Sequence, residues 1–138
     1  MSDRTIYITE QDMKRLRQLI LEVKYSDYRG SKYLEDLTGE LDRGAVVASK
    51  SVPPDVITMN SRVELVDLET GESMVYTLVF PQDADLVQGK ISVLAPIGTA
   101  MLGYRVGDVF SWQVPSGERR LKVEAILYQP EASGDYHL

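Results

Sequence analysis

Residues 91–108 read ISVLAPIGTAMLGYRVGD, and their local pattern sets the fold class. Ile91, Val93 and Ala95 alternate with Ser92 and Leu94, the period of two that marks a strand. Pro96 has no N–H to offer a ladder, so the strand stops there. Residues 97–102 are small and apolar, enough for about one and a half helical turns. Gly103 stands where a helix ends in a left-handed residue. Gly107-Asp108 then turns the chain into another strand. Strand, Pro-initiated helix, glycine stop and turn in so short a space predict a sheet with a short helix laid on it.

The flanks extend that sheet. Downstream, residues 109–114 form a strand, Pro115-Ser116-Gly117-Glu118 a tight turn, and 120–128 a last strand with Leu121, Val123, Ala125 and Leu127 alternating. Residues 129–138 are polar and lack a periodic signal. Upstream, 81–89 (PQDADLVQG) is an acidic loop and 74–80 a strand. Glu69-Thr70-Gly71-Glu72 is a hairpin turn with glycine where φ > 0 is required. Residues 62–68 alternate, with Val63, Leu65 and Asp67 on one face, and 56–60 make a short strand. The second half is therefore expected to be an antiparallel sheet of about five strands with one short helix, an α+β arrangement.

The first 49 residues follow another period. TIYIT (5–9) is β-branched and aromatic and reads as a short strand or arm. Thr9 opens a helix in a capping box with Asp12 in the usual Glu position. Met13, Leu16, Ile20 and Val23, with Leu19 beside them, make one apolar stripe. YSDYRGS (25–31) is a turn. A second helix begins near Ser31 with Leu34, Leu37 and Leu41 as its stripe, continued by Ala45 and Ala48. The first helix carries Lys14, Arg15, Arg17 and Lys24. The second carries Glu35, Asp36, Glu40 and Asp42. These complementary edges suit an antiparallel helical hairpin, a short coiled coil. Two such helices cannot bury a full core, so the hairpin should lean on the sheet. Pro53-Pro54 marks the boundary. The expected division is 1–49 for arm and hairpin, 50–54 for a Pro-rich linker, 55–130 for the sheet domain and 131–138 for a tail.

Composition excludes several functions. The chain has 138 residues, 43% hydrophobic and 26% charged, with a net charge of −6. That balance argues against strong direct nucleic-acid binding, which needs clustered Lys and Arg. No run approaches a membrane span, and MSDRTIYITEQD lacks a signal peptide's apolar region. Cysteine is absent, which removes thiolate chemistry and Cys-based zinc sites. A cytoplasmic protein without a cofactor or metal is expected. His137, the single histidine, lies next to the C-terminus, so no His-centred triad or metal site is expected. The glycine spacings give no phosphate-binding loop. Asp36 and Glu40 share a helix face, and Asp83 and Asp85 share a loop; both pairs read as solvated acids. Tyr76, Phe80, Tyr104, Phe110 and Trp112 read as sheet packing. Tyr25, Tyr28 and Tyr33, at and beyond the turn, suit an interface or packing against the sheet equally.

The order of parts resembles the bacterial Gre transcript-cleavage factors. ISVLAPIGTAMLGYRVGD is similar to their signature, IS-x-x-(S/A)-P-(I/L)-(G/A)-x-A-L-(L/I)-G-x-x-x-GD. VITMNSRVELVDLETGE is similar to the region that opens the same domain. PPDVITMNSRV, YQPEASGDYHL and TIYITEQDMKRL narrow the resemblance to the short-hairpin Rnk subfamily, the regulators of nucleoside diphosphate kinase. The resemblance implies an FKBP-like sheet domain docked at the rim of the RNA polymerase secondary channel. It implies docking positions at Ser92 and Pro96, with Leu94 where relatives carry a polar residue, and acids at Asp83 and Asp85. In Gre factors, acids at the hairpin tip hold a second Mg²⁺ for two-metal hydrolysis. Here the tip residues Tyr25, Asp27, Tyr28 and Arg29 offer one acid, flanked by Lys24, Arg29 and Lys32. Helices of about fifteen residues reach only ~22 Å. Reach and charge both argue against transcript cleavage, so what the resemblance implies here is a non-catalytic polymerase binder that competes with Gre factors; a monomer is expected. The alternatives are a peptidyl-prolyl isomerase built on the FKBP-like sheet, and a structural module that self-associates through the tyrosines. Ile91, Val93, Ile97, Ala100 and Leu102 are expected to tie helix to sheet, with Ser92, Leu94 and Pro96 nearer the docking face.

Overall fold

In the computed structural model, residues 7–23, 32–114 and 117–135 are described. Strand β1 (Tyr7–Thr9) leads directly into helix α1 (Glu10–Val23). Helix α2 (Lys32–Arg43) is followed by β2 (Ala45–Val47), which pairs in parallel with β1. That pairing brings the start of α1 and the end of α2 together. Arg17 and Asp42 join the two helices at 2.9 Å.

The expected continuation of α2 through Ala45 and Ala48 is corrected here. The helix stops at Arg43, and Ala45-Val46-Val47 is a strand. Gly44 is the reason. A Cβ there would press on the Ile8 side chain at 2.6 Å, so a bare backbone lets β1 approach. β-Branched Val46 and Val47 then favour strand over helix.

A five-stranded sheet forms the body, in the order β5-β4-β3-β7-β6. Its strands are β3 (Arg62–Asp67), β4 (Ser73–Val79), β5 (Lys90–Ser92), β6 (Val109–Val114) and β7 (Gly117–Tyr128). The β3–β4, β3–β7 and β6–β7 pairs are antiparallel as expected. β5 departs from the all-antiparallel expectation and runs parallel to β4. Single 3₁₀ turns at Pro81–Asp83 and Leu86–Gln88 carry the chain around between them. Residues 56–60 form no extended strand; Val56 makes one isolated bridge to Arg105, and the Arg105 guanidinium meets both oxygens of Asp55.

The β3–β4 turn forms as expected, with Gly71 at φ 76°. Asp67 is buried, as its place on the inward face predicts. Burial pushes its carboxyl up, but hydrogen bonds from the Glu69 and Thr70 amides and the Arg119 charge outweigh this and hold it below the usual range. Helix α3 (Pro96–Met101) lies between the sheet and α2. One continuous core results. Ile8, Leu16, Leu37 and Leu41 from the first 49 residues are buried with Ile57, Met59, Val63, Leu65, Leu78, Val93, Ile97, Leu102 and Leu121. The helices thus lean on the sheet, as two short helices must. Among the described residues no helix is long and apolar enough to cross a membrane.

Candidate functional site

The corner between β5 and α3 is built for close approach. A Cβ on Gly98 would fall well inside the contact radius of the Ser92 carbonyl oxygen. Glycine is therefore the residue that lets α3 lie on the end of β5. The Thr99 hydroxyl donates to the Val93 carbonyl at 2.6 Å. Gly103 ends the helical segment at φ 82° and donates its N–H to Ile57 O. Ile91, Val93, Ile97 and Leu102 are buried here and Ala100 packs against them, as expected.

Ser92 is half-buried at the sheet edge, and its Oγ accepts the Leu94 amide at 3.0 Å. That bond closes a turn that folds Leu94 inward. Leu94 is 4% exposed and shares the buried cluster of Ile97 and Leu102. Its expected place near the docking face is therefore corrected: an aliphatic side chain at this position gains more from the core than from solvent. The Pro96 side chain lies outside the described residues.

The acidic loop stands beside this corner. Asp85 caps the second 3₁₀ turn by accepting Val87 N–H at 3.1 Å, and it also accepts Gln88 Nε2 at 2.8 Å. Its backbone pairs in both directions with Lys90. Asp85 thus holds the loop in shape, while Asp83 is exposed. Asp83, Asp85 and Ser92 all lie in the segment that joins β4 to α3, Asp83 and Asp85 in and after its first 3₁₀ turn and Ser92 at the end of edge strand β5.

Helix α1 meets the same region. Thr9 Oγ1 accepts the Asp12 amide at 3.1 Å, as a capping box requires. The Asp12 carboxylate is used elsewhere. It accepts the Met59 amide at 3.0 Å and Arg15 at 2.6 Å, and it is 1% exposed. Burial raises its pKa to about 6, against the lowering effects of Arg15 and the Met59 N–H. The Arg15 guanidinium lies over the Phe80 ring at 4.9 Å. Between α1 and the segment that follows β4 lies a groove of about 600 Å³, lined by Lys14, Gln18 and Glu22 on one wall and by Asn60, Gln82 and Asp83 on the other. Sequence alone missed this groove, because its walls come from segments distant in sequence, and it missed the burial of Asp12, because a capping Asp and a buried Asp read the same locally.

The polar residues 129–135 pack rather than trail. Gln129 Nε2 donates to the Pro53 and Val56 carbonyls at 2.9 and 2.7 Å. Buried Glu131 accepts the Thr58 hydroxyl at 2.7 Å. The Tyr128 hydroxyl donates to Asp135 at 2.5 Å, and that bond pushes its pKa up to about 12.

Phe80 and Phe110 are buried, and Tyr104 stacks on Phe110 with centroids 5.7 Å apart. Tyr76 packs against the same core. This is the sheet packing expected of them, and the Trp112 side chain lies outside the described residues. Tyr25, Asp27, Tyr28 and Arg29 lie outside them too, as do the side chains of Tyr33 and Asp36. Glu40 forms an ion pair with Arg43. Among the described residues no three acids or histidines come together as a metal site.

Comparison with known proteins accords with this geometry. The family model described as "Transcription elongation factor, GreA/GreB, C-term" matches residues 52–128, and "Rnk N-terminus" matches residues 4–47. The regulator of nucleoside diphosphate kinase of Escherichia coli K12 is 42% identical over 139 residues, covering all of both chains. The transcription elongation factor GreA of Syntrophotalea carbinolica is 35% identical over 95 residues, 69% of this chain and 60% of that factor. Among solved structures, a prokaryotic transcription elongation factor GreA/GreB from Nitrosomonas europaea superposes with a TM-score of 0.75 at 37% identity, over 90% of this chain and all of that one. The sheet, its β5–α3 corner and the helices leaning on it define a protein of the GreA/GreB class, a transcription-factor-like regulator. Within that class the chain belongs to the Rnk family, the regulators of nucleoside diphosphate kinase.

Proposed function

We propose that this protein binds RNA polymerase in the cytoplasm at the rim of the secondary channel and competes there with Gre factors, without cutting the transcript. The observation that carries this is the β4–α3 segment. A Gre-type domain presents Ser92 at its edge with exposed Asp83 beside it, on a corner held rigid by Gly98, Thr99 and Asp85. Acids on that edge suit a basic partner surface. Two features support a non-catalytic role. Among the described residues helix α1 spans 14, a length of about 21 Å. The connecting sequence carries the single acid Asp27 among Lys24, Arg29 and Lys32, and a divalent cation bound by one or two carboxylates needs negative potential. An influence on nucleoside diphosphate kinase then runs through transcription.

The test is capture of core RNA polymerase by the tagged protein and its release by a Gre factor. A Ser92→Arg, Pro96→Ala double variant should bind at least ~10-fold more weakly, the loss of about 1.4 kcal/mol. Binding equal to wild type places the docking surface elsewhere.

A further inference from the structure

We propose that the groove between α1 and the segment that follows β4 is part of the same docking surface, and that it receives a basic segment of RNA polymerase. This rests on the polymerase reading above and extends it from the sheet edge onto the first helix.

Asp83 is shared. It belongs to the acidic loop beside Ser92, and it also lines the groove. A partner element that reaches Asp83 therefore meets the opposite wall, where α1 presents Lys14, Gln18 and Glu22 one turn apart along one face.

The groove is preformed. Asp12 fixes α1 to Met59, the residue before Asn60, and Arg15 spans to Phe80, the residue after β4. Both walls are thus pinned from α1. Asn60 stands between these pins in the left-handed region at φ 68°, held by its N–H to Leu78 O at 2.6 Å and by the adjacent Leu78 N–H to Ser61 O at 3.0 Å. Asparagine is one of the few non-glycine residues that take this conformation, and here it lines the groove. Preformed walls lower the ordering cost of binding.

Charge selects the partner. The Arg15 guanidinium is matched by Asp12. The charges that remain in the lining are one cation, Lys14, and two carboxylates, Glu22 on the helix wall and Asp83 on the loop wall. Gln18, Gln82 and Asn60 supply amides that both donate and accept. A lysine or arginine inserted between Glu22 and Asp83, with neighbouring peptide groups on the amides, fits this lining. An acidic segment or a phosphate does not.

The experiment uses the full chain and core RNA polymerase. A photo-crosslinking residue at position 18 should label a polymerase subunit, and a Gre factor should suppress the label. Glu22→Lys at this exposed position should weaken binding at least tenfold, while Lys14→Glu should tighten it. Simple loss of structure would not give opposite signs. Thr70→Trp, on the exposed β3–β4 turn, should bind as wild type. If wild-type protein binds polymerase but Glu22→Lys and Gln18→Trp bind equally well, the groove inference falls and the docking edge stands. If wild type does not bind, both fall. Crosslinking only to a second copy of this chain assigns the groove to self-association and also overturns the proposal.

Discussion

Replacing Asp12 with asparagine tests the contact that joins helix to sheet. The Asp12 carboxyl is buried, and burial raises its pKa from 3.8 to about 6. A folded state with the higher pKa binds more protons than the unfolded chain between these values, so stability falls as pH rises through that window. A gap of about two pH units corresponds to roughly 3 kcal/mol. The wild-type contribution is fully present below about pH 4 and is lost by about pH 7. Asparagine keeps an oxygen for the Met59 N–H and does not titrate. Urea unfolding of both proteins from pH 4 to pH 8 gives the difference in stability, from which other carboxylates largely cancel. Asp12→Asn should gain on the wild type by up to ~3 kcal/mol between pH 4 and pH 7, since the Arg15 attraction is already contained in the folded pKa. A flat difference would show that Asp12 titrates normally. A difference of the opposite sign would show that the Arg15 charge, rather than burial, dominates.

Three further substitutions examine the corner and its supports by chemical denaturation. Gly98→Ala forces a methyl group against the Ser92 carbonyl and should cost about 1–3 kcal/mol; an unchanged midpoint would mean that α3 does not approach β5 this closely. Leu94→Ala should cost about 2–4 kcal/mol, as expected for a buried leucine, whereas a surface leucine would cost almost nothing. Gln129→Leu removes the donor to two carbonyls, Pro53 O and Val56 O, and should cost about 2–3 kcal/mol; a loss below ~0.5 kcal/mol would show that water replaces the amide freely.

Local pattern carried much of the fold. Proline at 96 and glycines at 71 and 103 are backbone requirements, and each marks its turn or helix end in the structure. The alternation of Val63, Leu65 and Asp67 gave the inward face of β3 correctly. What escaped was non-local. Parallel pairing of β5 with β4 depends on how two 3₁₀ turns route the chain, and a three-residue strand looks alike in either direction. Ala45 and Ala48 fit a helical stripe, and the need for Gly44 beside Ile8 and the pairing with β1, both non-local, make the segment around Ala45 extended. For the site, the β5–α3 corner was legible because its glycines and proline are tied to tight geometry. Leu94 was misplaced because alternation assigned it to the outer face, whereas the chain leaves the strand at Ser92 and turns it inward. The groove was invisible, since its walls lie roughly forty to seventy residues apart in sequence.

The most direct measurement is a stalled-complex assay with RNA polymerase, a Gre factor and increasing amounts of this protein. Gre-dependent transcript cleavage should fall as the protein is added, and the protein alone should release no cleaved RNA above the polymerase's own rate. Cleavage by the protein alone, or Gre cleavage unaffected by its saturating excess, would contradict occupation of the Gre site without catalysis.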